Sequence, residues 1–319
     1  MAIDISDQLG NVAVRLIQNV PFFKGLKPAD LFGFLAKAKQ TSIRSGQVVF
    51  REGDEQDQAM YVIVKGRVEI AKELPDGSRE IVDTLGSGQC FGEMALADRQ
   101  PRSATATTRE DSVVLAFTGD FLAAFPQIAF RLYENLARII ARRYLDREHE
   151  MRGIMQPVCK VHCVDPLLKD LPPLTGQIGP KGLETLAQLG AFMDVPAGEY
   201  VVRESTVGQY MYVVFEGSVE VTTVIEYAPM RLALLERGNY FGETALASDE
   251  HGRLADVRAV EDAKLLRLNY AHLQRAAHVG AVIYKELARI FSMRLRRTTL
   301  VHVKTIGRGC HKDCPMLRR

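Results

Sequence analysis

Short apolar runs rich in Val, Ile and Tyr recur in the first third of the chain: Val48–Phe50, Met60–Val64 and Arg67–Ala71. Gly46, Gly53, Gly66, Gly77, Gly86 and Gly88 punctuate them. Runs this short, closed by glycine, predict strands joined by turns, and their spacing suits an antiparallel barrel or jelly roll. Past residue 120 the period changes. Ile128, Leu132, Leu136, Ile139 and Ile140 lie on one stripe at helical spacing. Val279, Ile283, Leu287, Ile290 and Phe291 repeat that stripe 151 residues later. The pattern predicts a mainly β fold with flanking helices.

The second stripe belongs to a larger repeat. MYVIVKGRVEI (60–70) answers MYVVFEGSVEV (211–221), CFGEMAL (90–96) answers YFGETAL (240–246), and EDSVVLAF (110–117) answers EDAKLLRL (261–268). The offset stays between 150 and 152, so the chain carries two copies of one domain-sized unit. Five of the 13 prolines fall between residues 157 and 180, the expected joint. The expected boundaries are 12–156 for the first domain, 157–180 for the joint, 181–300 for the second domain and 301–319 for a basic, cysteine-containing tail.

Residues 91–105 carry the chemistry. Gly92 opens a short helix, Glu93 follows at once, and Arg102 comes nine residues after that acid. The free N–H groups of a first helical turn and the helix dipole favour an anion, and a glycine at the entrance permits close approach. Arg102 can pair two N–H groups with phosphate oxygens. Ser103 adds a hydroxyl and an amide. A carboxylate at Glu93 needs donors, which a sugar hydroxyl supplies. The alternative is a Glu93–Arg102 pair that only braces a loop.

This segment resembles the phosphate-binding cassette of cyclic nucleotide-binding domains, whose pattern runs Phe-Gly-Glu-x-Ala-Leu and then Pro-Arg-x-Ala. The resemblance implies two tandem jelly-roll domains. It further implies that Glu93 takes the ribose hydroxyl and Arg102 the cyclic phosphate, with Gly92, Met94, Ala95, Ser103 and Ala104 completing the cradle. In the second copy Gly242, Glu243, Thr244, Ala245 and Arg253 stand in the matching places. There Gly252 replaces the proline, Leu254 follows the arginine, and Asp256 occupies the position of Thr105. Leu254 brings bulk without a hydroxyl, and Asp256 places an acid where an anion is expected to bind. The second copy is therefore either a site of different affinity or a structural partner. Cyclic AMP is favoured over cyclic GMP as ligand; Tyr133 and Tyr284, at equivalent helix positions, are either caps for the base or packing residues. Two cassettes in tandem resemble the cyclic-nucleotide half of the regulatory subunit of cyclic AMP-dependent protein kinase.

Composition narrows the rest. With 47% hydrophobic and 25% charged residues the 319-residue chain reads as globular. No apolar run nears the ~18 residues of a membrane span, and the start lacks signal-peptide order, so a cytoplasmic location is expected. The roughly 20 residues after the second helix, expected to end near Thr298, leave no room for a helix-turn-helix module, so DNA-operator binding is not expected. No nucleophile or metal-hydrolase pattern appears, which argues against an enzyme. The net charge of +2 conceals a local +7 from Arg294 to Arg319. That run reads as a solvated helix end, or as a docking segment for an acidic partner, nucleic acid or anionic membrane. Arg296-Arg297-Thr298-Thr299-Leu300 has the form of a basic-kinase target.

Cys159/Cys163 and Cys310/Cys314 form two Cys-x₃-Cys pairs at the repeat offset, with His162 and His311 among them. They read as a Cys₄ zinc or iron–sulfur site, as redox thiols, or as inert cysteines. Cys90 reads as a small buried hydrophobe. The expected function is a cyclic nucleotide sensor that changes its interaction with an effector protein, with self-association through the long helices as a further expectation. The competing class is a scaffold with degenerate cassettes, working through its tail and cysteines.

Overall fold

The computed structural model of the chain describes residues 19–56, 58–74, 77–154, 173–225, 228–248 and 252–308. Two compact units emerge, Met1–Ile140 and Ala141–Arg319. The first opens with a 3₁₀ turn (Pro21–Phe23) and α1 (Pro28–Leu35), then five strands: β1 (Lys39–Ile43), β2 (Val48–Phe50), β3 (Met60–Lys65), β4 (Val68–Glu73) and β5 (Arg79–Leu85). After β6 (Cys90–Phe91) come α2 (Glu93–Asp98), β7 (Thr105–Thr108), β8 (Ser112–Phe117), α3 (Gly119–Ala123) and α4 (Pro126–Ile154). The three strands expected from the apolar runs are β2, β3 and β4.

The strands form two antiparallel four-stranded sheets, ordered β1-β8-β3-β6 and β2-β7-β4-β5. Alternation along each strand sends Tyr61, Ile63, Val68, Phe91, Ala106 and Val114 into one core. Burying each of the larger ones is worth roughly 1.5–3 kcal/mol. A second apolar cluster anchors the helices: Phe34 stacks on Phe117 at 5.1 Å, with Phe23, Phe121 and Phe125 edge-on or tilted around them. Asn135 of α4 donates from Nδ2 to the carbonyls of Phe22 and Lys24, 2.9 Å each, which pins the 3₁₀ turn to the helix.

The second unit repeats the plan. It comprises α5 (Leu174–Leu189), β9 (Ala191–Val195), β10 (Tyr200–Val202), β11 (Met211–Glu216), β12 (Val219–Ile225), β13 (Ala228–Leu235) and β14 (Tyr240–Phe241). α6 (Thr244–Ala247), β15 (Asp256–Ala259), β16 (Ala263–Leu268), α7 (Tyr270–Arg275) and α8 (Ala277–Arg308) complete it. Its sheets, β9-β16-β11-β14 and β10-β15-β12-β13, keep the strand order of the first unit.

Three features differ from the expectation or refine it. The last helix continues ten residues past Thr298, because no Gly or Pro occurs between Gly280 and Gly307 and its β-branched residues each cost only tenths of a kcal/mol. The end of the Pro-rich joint is helical: α5 starts after Pro173 and kinks at Gly179, where φ is 69°. α4 is continuous across the division between the units, which falls after Ile140.

Cys159, Cys163, Cys310 and Cys314, with His162 and His311, lie outside the described residues. Among the described residues no three His, Cys, Asp or Glu side chains gather as a metal site. Cys90 is buried, as a small apolar residue would be. No described helix is long and apolar enough to cross a membrane.

Candidate functional site

The first cassette is built on a glycine. Gly92 sits at φ 74°, and a Cβ there would stand 2.7 Å from Arg102 Nη1 and 3.0 Å from the Ala59 carbonyl. Both the left-handed turn and the close approach exclude a side chain. The turn starts α2, with Glu93 as its first residue, 2% exposed. Arg102, ten residues past the turn, is brought back onto it: Nη1 donates to the Gly92 carbonyl at 3.1 Å.

Backbone pairing holds Arg102 from both sides. Its N–H donates to the Asp54 carbonyl and its carbonyl accepts from Gly53 N–H, 2.9 Å each. The guanidinium lies 4.0 Å from the Phe50 ring centroid, a cation–π contact on a buried charge. Tyr61 and Phe91 stack alongside at 5.1 Å. Lys72 Nζ donates to the Ser103 carbonyl at 2.6 Å and to Glu52 Oε1 at 2.5 Å, tying the loop to β4. Ser103 Oγ lies 3.4 Å from Met94 Sδ, and Ala95 and Ala104 are buried. Gly92, Glu93, Met94, Ala95, Arg102, Ser103 and Ala104 thus all belong to the turn, α2 and the loop that returns to them ahead of β7.

The second cassette reproduces this. Gly242 has φ 72°, Glu243 is 5% exposed, and Arg253 Nη1 donates to the Gly242 carbonyl at 3.0 Å. Arg253 also donates from Nη2 to the Tyr210 carbonyl at 2.7 Å, and its backbone is held by Ser205 N–H and the Thr206 carbonyl, 2.8 Å each. Burial lowers the Arg253 pKa, opposed by the neighbouring Tyr212 and Glu243. Tyr212 stacks on Phe241 at 5.0 Å, the counterpart of Tyr61 on Phe91. Ala245 N–H donates to the Gly242 carbonyl within the short turn of α6, and Thr244 is buried beside it.

Asp256 has structural partners of its own. Its Oδ1 accepts from Glu204 N–H at 2.6 Å, the same bond that Thr105 Oγ1 makes to Glu52 N–H at 3.0 Å in the first copy. Its other oxygen faces Arg203 at 3.6 Å. The carboxylate therefore holds the turn after β10 and makes an ion pair, so its charge is partly offset there.

Arg294 was not singled out by sequence. It reaches from α8 to Glu243, Nη1 to Oε1 at 2.5 Å, with both side chains almost fully buried. The signal was present, since Arg143 and Arg294 occupy equivalent positions on the two long helices. Tyr284, entertained as a cap for a base, is fully buried and its hydroxyl lies 3.4 Å from the Leu246 carbonyl, beneath α6. Tyr133 is half-buried, and burial raises its pKa against the opposing charge of Arg99.

The second unit holds a cavity of about 80 Å³ against this cassette. Gly242, Glu243, Arg253, Leu254 and Arg294 line it, and so do Tyr144 and Glu148 of α4. Ligand pockets run from roughly 300 Å³ upward, so this cavity is small for one.

The sequence model of the cyclic nucleotide-binding domain matches residues 40–127 and 192–278, more than half of the chain. The chain belongs to the cyclic nucleotide-binding domain family. A cAMP-dependent protein kinase regulatory subunit from Yarrowia lipolytica is 30% identical over 241 residues, 76% of this chain and 54% of that protein. The cyclic AMP receptor protein of Thermus thermophilus is 33% identical over 132 residues, 41% of this chain and 60% of that protein. The chain thus spans about half to three fifths of these curated relatives. Among solved structures, the regulatory domain of Toxoplasma gondii PKA with cAMP is 23% identical, covering 85% of this chain and 92% of that one at a TM-score of 0.35. A regulatory subunit of a cAMP-independent protein kinase A from Trypanosoma brucei is 19% identical, covering 88% of each chain at a TM-score of 0.35. The two matched stretches fall one in each unit and contain both cassettes, giving tandem cyclic nucleotide-binding domains with jelly-roll sheets and flanking helices.

Proposed function

We propose that the chain is a cyclic nucleotide sensor, taking cyclic AMP at its first cassette and passing occupancy to an effector protein. The observation that carries this reading is the return of Arg102 to the Gly92 turn, beside the buried Glu93, and its duplication at Arg253, Gly242 and Glu243. A bracing pair alone would need no left-handed glycine at the mouth of a helix. In this reading the arginine takes the cyclic phosphate through charge-assisted bonds, and the glutamate accepts from a ribose hydroxyl.

The second cassette adds a route for a signal. A ribose hydroxyl on Glu243 would compete with Arg294, which belongs to the long helix α8. Releasing Arg294 changes what that helix touches, which is the differential contact a ligand switch needs. The relatives that support the effector role are regulatory subunits and a receptor protein.

Thermal denaturation with and without cyclic AMP tests the proposal. A ligand bound only by the native state stabilises it by about 2.7 kcal/mol at 100 times Kd. The expected result is a rise in midpoint that grows with the logarithm of ligand concentration. No rise at millimolar cyclic AMP or cyclic GMP would leave the scaffold reading in its place.

A further inference from the structure

We infer that the first unit carries a second ligand site, separate from its cassette, for a small apolar carboxylate. Such a site stands whether or not the cassettes take a cyclic nucleotide.

β1 and β2 are edge strands of different sheets, and both line a cavity of about 570 Å³. That volume lies within the range of small-molecule sites, roughly 300–1,000 Å³. The walls come from residues 37–61 and 116–121, so Gly92, Glu93, Arg102 and Ser103 take no part in them.

Strand register shows how the cavity arises. Lys39 of β1, Ala116 of β8, Tyr61 of β3 and Phe91 of β6 stand side by side in one row across the sheet. Tyr61 and Phe91 belong to the core and Ala116 packs against it, so the row lies on the inner face. The second unit repeats the row as Ala191, Arg267, Tyr212 and Phe241. The cation has changed places: it sits on a central strand there and on the edge strand in the first unit. Arg267 lies over the ring of Tyr210 at 4.5 Å, and the residue equivalent to Tyr210 is Ala59. Ala59 and Ala116 thus line the cavity at the two positions where the second unit carries a tyrosine and an arginine in contact. The duplicated fold does not itself require so much open space.

The lining then selects the ligand. Ile43, Val48 and Val49 with the rings of Tyr61 and Phe121 supply apolar walls. Lys37 and Lys39 are the charged residues of the lining, both exposed, and among the described residues no Asp or Glu joins them. An apolar body leaves water on entering, while a carboxylate at the rim meets two ammonium groups. An amine of the same shape meets those groups as repulsion.

Calorimetry on the full chain with octanoate, hexanoate and octylamine tests the site. One octanoate per chain is expected, with hexanoate about 15-fold weaker for its two missing methylenes and octylamine not bound. Replacing both exposed lysines, Lys37→Ala with Lys39→Ala, should weaken octanoate by about 2- to 30-fold, the worth of two exposed ion pairs. Lys39→Ala with Ala116→Arg rebuilds the row of the second unit and should abolish binding, with circular dichroism checking that the barrel is intact. No saturation at millimolar octanoate overturns the inference. Equal binding of octanoate and octylamine does so too, as does octanoate binding that survives the rebuilt row in a folded chain. If the rebuilt chain fails to fold, the double lysine variant decides: an unchanged affinity for octanoate overturns the site, and a weakened one supports it.

Discussion

Arg294 and Glu243 lie 51 residues apart in sequence and meet at 2.5 Å in the interior of the second unit, one on the long helix and the other in the cassette. The pair joins the residue expected to hold a ribose to the element expected to move. Arg294→Ala strands a buried carboxylate, and removing one partner of such a pair costs about 3–5 kcal/mol. The urea midpoint should fall accordingly. Adding Glu243→Gln to the same chain should restore part of the loss, because a neutral amide is cheaper to bury.

Arg102 and Arg253 set the affinity of their own cassettes. Truncating a buried, hydrogen-bonded charge that meets a ligand charge costs about 2–5 kcal/mol, a weakening of roughly 30-fold to several thousandfold. Calorimetry of Arg102→Ala should lose one class of site and keep the other, and Arg253→Ala should show the converse. Two unchanged titrations would refute the phosphate assignment.

Gly92→Ala tests the turn. The left-handed conformation costs an alanine about 1–2 kcal/mol, and its methyl would also press on the Ala59 carbonyl. We expect a lower denaturation midpoint, together with weaker nucleotide binding because Arg102 Nη1 must move. Gly46, also at positive φ but with open space around it, should show the conformational cost alone when replaced by alanine.

Tyr240 is fully buried next to the second cassette, and among the described residues its hydroxyl has no hydrogen-bond partner. Burial, with the nearby Glu243 and Glu286 carboxylates, pushes its pKa well above the usual phenol value. An unsatisfied buried hydroxyl costs about 1–3 kcal/mol. Tyr240→Phe should therefore raise the urea midpoint; a clear drop would show that the hydroxyl has a role of its own.

His272 closes a reciprocal cap on α7: its Nδ1 accepts from Asn269 N–H at 3.2 Å while its own N–H donates to Asn269 Oδ1 at 3.1 Å. Burial first, and then Arg275 and Arg267, lower its pKa below the usual imidazole value near 6.5. The folded state therefore binds the proton less well than the unfolded state. Its contribution to stability is complete above about pH 6.5 and is lost as pH falls through the depressed pKa. Comparing the melting temperatures of the parent and His272→Gln from about pH 8 to about pH 5 should show a difference that shrinks on the acid side.

Both the fold and the first cassette were legible because their signals are local. Strand-length apolar runs closed by glycines predicted β2, β3 and β4, and Gly92-Glu93 with Arg102 encodes a turn, a helix start and a returning charge within a dozen residues. Partners distant in sequence were harder to read. Nothing adjacent to Glu243 points to Arg294, and nothing near Leu254 points to Tyr144 or Glu148, since only the packing of the long helices brings them to the cavity. At Asp256 the sequence showed the charge but not the backbone it serves. A carboxylate and a threonine hydroxyl can fill the same place when the need is an acceptor for one turn N–H.

The continuity of α4 across the division at Ile140 has a consequence for how the protein can be dissected. Cutting the chain in the proline-rich stretch, where the repeat suggests, would leave Tyr144 and Glu148 attached to the first fragment. Their covered faces would then be open to water, and the second fragment would lose one wall of its cavity. Such a first fragment should be sticky and such a second fragment leaky. A fragment starting near Ala141 keeps those residues with the barrel they pack against.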